Sequence, residues 1–299
     1  MKRILFVVLL AAAVLAGCSS SPDYTVKITN KPYFQQDKAS PIEVKVTEGD
    51  KAVTGLTVTA ELSMANMDHG TAQITFTEGK KGIYSGKVQL PMTGKYEAAF
   101  TLEKDGKKTE KVMNLNVEKP KGVAKINGEW ITADDLAFYK FINQLQLAIN
   151  REAAKKQYSG KQLEEELTYL DSQSKLAEDR NQLLTQMIRL HAMALLAEEK
   201  GHKAADAEVT QAVTRARGQY REYGSAMKLI KAYGEKKFWT MEKQQYKLIV
   251  LASKVQEDVK AQVKQENPKA GEQDLLYLAQ QKYEDLVVSE VNSLKIEIL

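Results

Sequence analysis

Hydrophobic and polar residues alternate one by one through most of the first 118 residues, and after about residue 133 the hydrophobic residues recur every three or four positions. A period of two is typical of β-strands with one buried face, and a period of 3.6 is typical of amphipathic helices. A length of 299 residues fits two domains. The pattern therefore predicts a multi-domain chain in which a β domain precedes an α domain.

The predicted β domain covers residues 24–118 and contains seven alternating segments. Ile42, Val44 and Val46 share one face of such a segment, whereas Glu43 and Lys45 occupy the other face. The predicted strands are 25–29, 42–47, 56–62, 73–76, 83–90, 96–102 and 111–117. Seven short strands with glycine-containing turns between several of them predict an antiparallel, immunoglobulin-like β-sandwich.

The predicted α domain covers residues 123–299 and is helical over most of its length. Phe138, Ile142, Leu145 and Ile149 form one apolar stripe, with spacings of four, three and four residues. The predicted helices are 133–158, one that starts near 163, a longer one through 176–190 that stops at Gly201, 205–223, 225–233, 236–265 and 272–292. We expect His202, which follows this stop, to face solvent.

The junction of the two domains combines a linker, a tight hairpin and a helix start. Pro120 lies in the linker, residues 119–122, and Asn127-Gly128 is a dipeptide that adopts positive φ readily in two-residue hairpin turns. Thr132 and Asp135 have the spacing of a capping box, in which the two side chains satisfy backbone N–H groups at a helix start. A hairpin followed by the first helix is therefore predicted here.

Residues 294–299 alternate strictly between apolar and polar side chains and predict a further strand. A two-stranded hairpin alone is marginally stable in water, so the strand at residues 123–126 needs a third strand or a helix beside it. No other stretch of this half has the pattern of a strand. We therefore expect the two ends of the α domain to pair in a small β-sheet.

The first residues have the features of an export signal. Lys2 and Arg3 precede an apolar run, residues 4–16, that is too short to cross a bilayer comfortably. The sequence Leu15-Ala16-Gly17-Cys18 resembles a lipobox, which implies cleavage before Cys18 and lipidation of that cysteine. Residues 1–17 are then a signal peptide and residues 18–23 a lipidated tether. The alternative is an ordinary secretory signal in which the cysteine occurs by chance.

Cysteine content and charge fit an anchored protein outside the cytoplasm. Cys18 is the single cysteine, so the exported protein can form no internal disulfide. Without Lys2 and Arg3 the chain has 41 basic and 39 acidic residues, which gives no sign of nucleic-acid binding. The lipobox resemblance implies an extracytoplasmic protein that its lipid anchors to the bacterial cell membrane.

Two short motifs of the β domain contain soft metal donors. Residues 64–70, Met-Ala-Asn-Met-Asp-His-Gly, lie between two predicted strands, and residues 91–94, Pro-Met-Thr-Gly, lie near another strand junction. The pair resembles the YtkA-like domain of secreted bacterial proteins, which implies a role in copper handling. Met64, Met67, His69 and Met92 would be the ligands, because thioethers suit Cu(I). The alternative is that the methionines fill gaps at the end of the sandwich and His69 is a turn residue.

The second half resembles the helical module of SurA/PrsA-type extracytoplasmic chaperones. The resemblance begins at residues 123–132, Val-Ala-Lys-Ile-Asn-Gly-Glu-Trp-Ile-Thr, and continues at Asp134-Asp135-Leu136 and Ala207-Glu208-Val209. It extends to residues 294–299. It implies a SurA N-terminal-like helical domain over residues 123–299.

The sequence departs from this family at the place where catalysis would reside. A parvulin-type prolyl isomerase domain usually interrupts the family's helical module before its closing helix. Here the few residues between 265 and 272 cannot hold such a domain. The sequence also contains no nucleophile elbow, phosphate-binding glycine loop or metalloprotease helix motif. We therefore expect no enzymatic activity and no catalytic residues.

A binding protein is the class that this sequence favours, with partly unfolded exported polypeptides as its partners. Tyrosine and methionine surfaces accept many side-chain shapes, although each such residue could equally belong to the core. The candidates for client contact are Tyr139, Tyr169, Tyr220, Tyr223, Tyr233, Tyr246, Met187 and Met227. The alternatives are a copper-handling lipoprotein whose helical half docks it to a membrane partner, and a helical spacer for the sandwich.

Overall fold

The computed structural model describes residues 22–65 and 70–299, with the side chain of Leu176 excepted. The predicted signal peptide and Cys18 lie outside the described residues. The chain divides into two compact units, called here the β unit and the α unit, with the boundary between Pro120 and Lys121. The β unit contains the first nine strands, and the α unit contains seven helices and a small sheet. The predicted order, β and then α, is confirmed.

Two antiparallel sheets form the β unit. The strands are β1 (Tyr24–Asn30), β2 (Ser40–Glu48), β3 (Lys51–Ala52), β4 (Thr57–Met64), β5 (Thr71–Thr75), β6 (Thr77–Glu78), β7 (Ile83–Val88), β8 (Gly94–Lys104) and β9 (Lys107–Val117). One sheet has the order β1-β2-β7-β6, with β3 also paired to β2, and the other has the order β5-β4-β8-β9. Each predicted strand has a counterpart, and β3 and β6 are additional strands of two residues.

One hydrophobic cluster is shared by the two sheets of the β unit. Val44 and Tyr84 from the first sheet and Val58 and Phe100 from the second are fully buried in it. In β2 the apolar residues are buried and the residues between them are more exposed, as the alternation predicts. The β unit is therefore two sheets around one core.

Seven helices make up most of the α unit. They are α1 (Ala133–Gln157), α2 (Gly160–Ala177), α3 (Arg180–Glu199), α4 (Asp206–Arg221), α5 (Gly224–Tyr233), α6 (Glu235–Glu266) and α7 (Glu272–Ser293). The prediction of one helix through residues 176–190 is wrong, because a new helix starts at Arg180. Asp179 accounts for that start, since its side chain accepts a hydrogen bond from Gln182 N at 2.9 Å and caps α3.

The α unit begins with the predicted hairpin and capping box. The strands β10 (Ala124–Ile126) and β11 (Glu129–Ile131) are joined by Asn127 and Gly128, at φ values of 47° and 94°. Thr132 Oγ1 accepts a hydrogen bond from Asp135 N at 3.1 Å, and the Asp135 carboxylate accepts one from Thr132 N at 2.9 Å. One free N–H group in the first turn of α1 and the N–H of the preceding Thr132 are thereby satisfied, and both predictions are confirmed.

The strand β12 (Ile296–Ile298) pairs antiparallel with β10, which is the central strand of a three-stranded sheet. Leu299 N donates to Val123 O at 3.1 Å, and Arg180 Nη2 donates to Leu299 O at 2.9 Å. The expected pairing of the two ends of the α domain is confirmed.

Most of the buried apolar residues of the α unit fall into four clusters. The first joins α3, α6 and α7, and the second joins α3 to the small sheet. The third joins α1, α5 and α6, and the fourth joins α1 and α2. Within residues 22–65 and 70–299, no helix combines the length and apolar character that crossing a membrane requires.

Candidate functional site

A cleft of about 320 Å³ lies in the α unit where β11, α1, α3 and α6 meet. Its apolar walls are formed by Trp130, Phe138, Met187, Met241, Leu248 and Leu251. Ligand pockets in proteins range over roughly 300–1,000 Å³, so this cleft is near the small end. It is large enough to hold a side chain or a short segment of a bound molecule.

Two polar atoms in the cleft-lining residues, Tyr139 Oη and Gln245 Oε1, are buried without a hydrogen-bond partner in the described part of the chain. Burial raises the pKa of Tyr139, and the Gln245 carboxamide opposes the rise, although the two groups do not meet hydrogen-bond geometry. An unpaired buried polar group costs roughly 1–3 kcal/mol. A bound molecule that reached these atoms would remove that cost.

The imidazole of His191 also lines the cleft, from α3. Burial lowers the pKa of His191, and the carboxylates of Glu129 and Asp135 oppose the change. The ring is therefore neutral at pH 7, with one nitrogen that donates and one that accepts. His191 thus offers the cleft one hydrogen-bond donor and one acceptor, and it adds no positive charge.

A cluster of aromatic rings continues from Phe138 at one wall of the cleft. The Phe138 and Phe238 rings are 5.8 Å apart, and a buried carboxyl group, Glu242, lies nearby on α6. Tyr220 Oη donates to Glu242 Oε1 at 3.0 Å. Burial raises the pKa of Glu242 to about 7, and the hydrogen bond from Tyr220 opposes the rise. No sequence signal distinguishes Glu242 from the many exposed charges of α6.

The eight candidates for client contact have very different environments. Tyr139 and Met187 line the cleft, although Met187 is only 1% exposed. The half-buried residues outside the cleft are Tyr220, Tyr223, Tyr233, Tyr246 and Met227. Tyr169 is 57% exposed and lines a separate groove between α1, α2 and α3. The structure therefore brings two of the eight together at the cleft.

Met64 and Met92 of the β unit lie at the same end of their sheet. Met64 is the last residue of β4, and a Cβ atom added to Gly94 would lie only 2.8 Å from Met64 Cε. Met64 is partly buried against the core, whereas Met92 is 37% exposed. Met67 and His69 lie outside the described residues. The structure thus places two of the four expected ligands near one turn.

In residues 22–65 and 70–299, no three His, Cys, Asp or Glu side chains are grouped so that they could hold a metal ion. Met64 and Met92 are soft donors and match Cu(I) in chemical type.

The fold and these sites define a two-unit protein, with an antiparallel β unit followed by a helical unit that has its own cleft. In comparison with known families, the YtkA-like family model matches residues 19–101. The β unit is therefore similar to YtkA-like domains. No curated protein and no solved structure matches the chain. None of these comparisons supports the resemblance of the α unit to SurA/PrsA-type chaperones.

Proposed function

We propose that this protein is an extracytoplasmic lipoprotein whose α unit binds partly unfolded exported polypeptides without enzymatic action. Lipid on Cys18 holds it at the bacterial cell membrane. In this proposal the β unit is an immunoglobulin-like sandwich, and the α unit is a SurA-like module without an isomerase domain. The observation that carries the proposal is the cleft between β11, α1, α3 and α6.

The walls of the cleft suit side chains of many shapes. Apolar surface that enters the cleft contributes roughly 25 cal/mol for each Å² removed from water. Met241 contributes an unbranched, polarisable side chain, which fits irregular partners. Binding of this kind depends on apolar character more than on a particular sequence, as the holding of unfolded chains requires.

The polar atoms of the cleft suit the backbone of a bound segment. Tyr139 Oη can donate to a backbone carbonyl, and Gln245 Oε1 can accept from a backbone N–H. Every polypeptide presents both groups, so these two contacts add binding energy without selecting a sequence. The combination supports a polypeptide as the occupant.

The test is suppression of client aggregation by the full-length protein, with reduced α-lactalbumin as the client. Gln244 is exposed at the rim of the cleft, so Gln244→Trp should obstruct the opening and remove most of the suppression. Gln280→Trp adds the same side chain at an exposed site of α7 outside the cleft and should leave suppression unchanged. Equal suppression by both variants would contradict the proposal.

Two further measurements test the membrane anchor and the lack of catalysis. Mass spectrometry of the membrane-associated protein should find lipid on Cys18, and Cys18→Ser should release the protein from membranes. An unmodified thiol in a mature chain that starts elsewhere would disprove the anchor. With short proline peptides, isomerisation should proceed only at the uncatalysed rate.

A second proposal is that the β unit binds Cu(I) through Met64, Met67, His69 and Met92. It is supported by the placement of Met64 and Met92 near one turn and by the similarity to YtkA-like domains. Cu(I) is the ion for which thioether ligands have the best match in softness. The donor chemistry therefore favours copper over zinc or magnesium at this end of the unit.

Titration of Cu(I) with a competing chelator tests the metal site. Met92→Leu conserves side-chain volume, so it should leave folding nearly unchanged and weaken binding. Met113→Leu is the matched control, because Met113 is a partly buried methionine on β9. Absence of a saturable site in the wild type, or equal weakening by both variants, would reject the copper proposal.

A further inference from the structure

A second groove of the α unit, about 470 Å³ in volume, lies between α1, α2 and α3 and is lined mainly by carboxamide side chains. The amides are Asn143, Gln146, Asn150, Gln173, Gln182 and Gln186. Leu147 and Leu170, both buried, are the larger apolar residues of the lining. We call this surface the amide groove.

Among the residues that the structure describes, the lining of the amide groove contains no charged residue. Charged residues make up 27% of the chain, so ten lining residues at a helical surface would be expected to include several. The nearby charges pair with each other outside the lining: Arg151 Nη2 lies 2.7 Å from Asp171 Oδ1, and Lys140 Nζ lies 3.4 Å from Glu178 Oε2. A charged ligand would find no counter-charge here, whereas a neutral polar ligand would find many partners.

Hydrogen bonds within the groove hold some amides in place and leave others available. Gln146 Nε2 donates to Asn150 Oδ1 at 2.9 Å, and Asn143 Nδ2 donates to Ala177 O at 3.4 Å. The Gln182 side chain is exposed and forms no hydrogen bond to another described residue. Each carboxamide has two N–H donors and one oxygen acceptor, so the groove offers donors and acceptors side by side.

Tyr169 adds an aromatic surface to the amide groove. Its side chain is 57% exposed, although the residue lines the groove from α2. The face of an aromatic ring carries partial negative charge and attracts C–H groups of a ligand, whose hydrogen atoms carry partial positive charge. An exposed aromatic ring beside a neutral, hydrogen-bonding surface thus complements a ligand that has both C–H faces and hydroxyl groups.

From this combination we infer that the amide groove binds a neutral oligosaccharide. Each sugar hydroxyl both donates and accepts, as the carboxamides do, and the C–H face of a pyranose ring can stack on Tyr169. A polypeptide fits less well, because its backbone offers only one donor and one acceptor for each residue, whereas six of the ten lining residues are carboxamides. This inference is independent of polypeptide binding at the cleft, which lies between β11, α1, α3 and α6 and has a mainly apolar surface.

Saturation-transfer NMR tests the inference on the full-length protein in a detergent without a sugar headgroup, such as lauryldimethylamine oxide. The probes are chitotetraose and cellotetraose, with an uncharged glycine-serine peptide of similar size as the comparison. At least one saccharide should give saturable transfer, strongest at the C–H protons of one ring. If neither saccharide gives saturable transfer, or if only the peptide does, the inference is overturned.

Two variants locate the binding. Tyr169→Ala should weaken saccharide binding about tenfold through loss of the stacking surface. Tyr277→Ala is the matched control, because Tyr277 on α7 is similarly exposed, at 62%. The surface around it includes the charged residues Glu284 and Asp285, so it lacks the neutral character of the amide groove. Circular dichroism should show both variants folded. Equal loss of binding in the two variants, or none in Tyr169→Ala, would overturn the assignment to the amide groove.

Discussion

The β unit and the α unit differ in whether their buried polar side chains have hydrogen-bond partners. In the β unit, Tyr84 Oη accepts a hydrogen bond from Leu56 N at 3.2 Å and donates to Val53 O at 3.1 Å. The buried hydroxyl of Ser40 accepts a hydrogen bond from Tyr33 N at 2.8 Å. These buried hydroxyls therefore fix the positions of loops and strands around a single core.

In the α unit, several buried polar groups have no partner. Among the described residues, the buried unpaired side-chain atoms belong to Tyr139, Arg217, Trp239 and Gln245, all in this unit. Arg217 lies over the Trp239 ring at 4.4 Å, and Glu242 is a buried carboxyl group that accepts a hydrogen bond from the hydroxyl of Tyr220. The comparison indicates that the β unit is built for one arrangement, whereas the α unit retains groups that a partner could satisfy.

Deletion of residues 294–299 should have the largest effect on the difference in stability between the two units. The deletion removes β12 from the central strand β10 and takes away the bond from Arg180 to Leu299. With partly buried Leu294 and Ile296 also lost, the α unit should lose about 3–5 kcal/mol of stability, or roughly 10 °C in its midpoint. Differential scanning calorimetry should show an unchanged transition of the β unit, and an unchanged transition of the α unit would contradict the prediction.

Next in size is the effect of Glu242→Gln, which depends on pH. Since burial raises the folded-state pKa of Glu242 to about 7 from 4.5, the wild type loses stability as pH rises from about 4.5 to 7. The substitution should therefore stabilise the α unit by about 3 kcal/mol above pH 7 and have little effect below pH 4.5. Urea unfolding at both pH values measures this difference, and equal effects at the two pH values would disprove it.

A pair of identical substitutions compares the two units directly. Tyr84→Phe leaves Leu56 N and Val53 O without their partner and should cost the β unit about 2 kcal/mol. Tyr139→Phe removes a buried hydroxyl that has no partner among the described residues, so it should stabilise the α unit by about 1–3 kcal/mol. Denaturant unfolding of both variants checks the comparison, which fails if Tyr139→Phe is the more damaging.

The smallest expected effect is at the start of α1. Thr132→Ala removes the hydroxyl that accepts from Asp135 N, so it should destabilise the α unit by about 1 kcal/mol. Thr132→Ser keeps an oxygen in the same place and serves as the control. A shift of the α-unit midpoint by Thr132→Ala alone is the expected result, and equal shifts by both would argue against capping.

Local patterns were sufficient to predict much of the fold. The alternation in the first half identified its seven main strands, and Asn127-Gly128 identified the hairpin because positive φ is a local requirement. The pairing of residues 294–299 was predictable because a hairpin needs a covering strand. The break at residues 178–179 was missed, because the apolar spacing continues across it while Asp179 starts a new helix.

The sites were much harder to predict, because they depend on contacts between distant helices. Tyr139 and Gln245 are on different helices, and no spacing relates them. His202 was expected to face solvent, but its Nε2 atom lies 2.7 Å from Asp258 Oδ2, and its side chain is 29% exposed. The amides of the amide groove are also spread over three helices, so their common surface appears only in the folded unit.

The pairing of β10 with β12 also sets the order in which the two units can fold. The β unit is complete in sequence at Val117, so under the proposed export it can fold before the α unit has emerged outside the cytoplasm. The α unit must wait until β12, about 175 residues after Val123, has also emerged. The contacts between β10 and β12 join residues that are far apart in sequence, so closure of this sheet is a slow, late step. For that interval the helices of the α unit exist as an incomplete chain, itself a substrate for the kind of chaperone that we propose the finished unit to be.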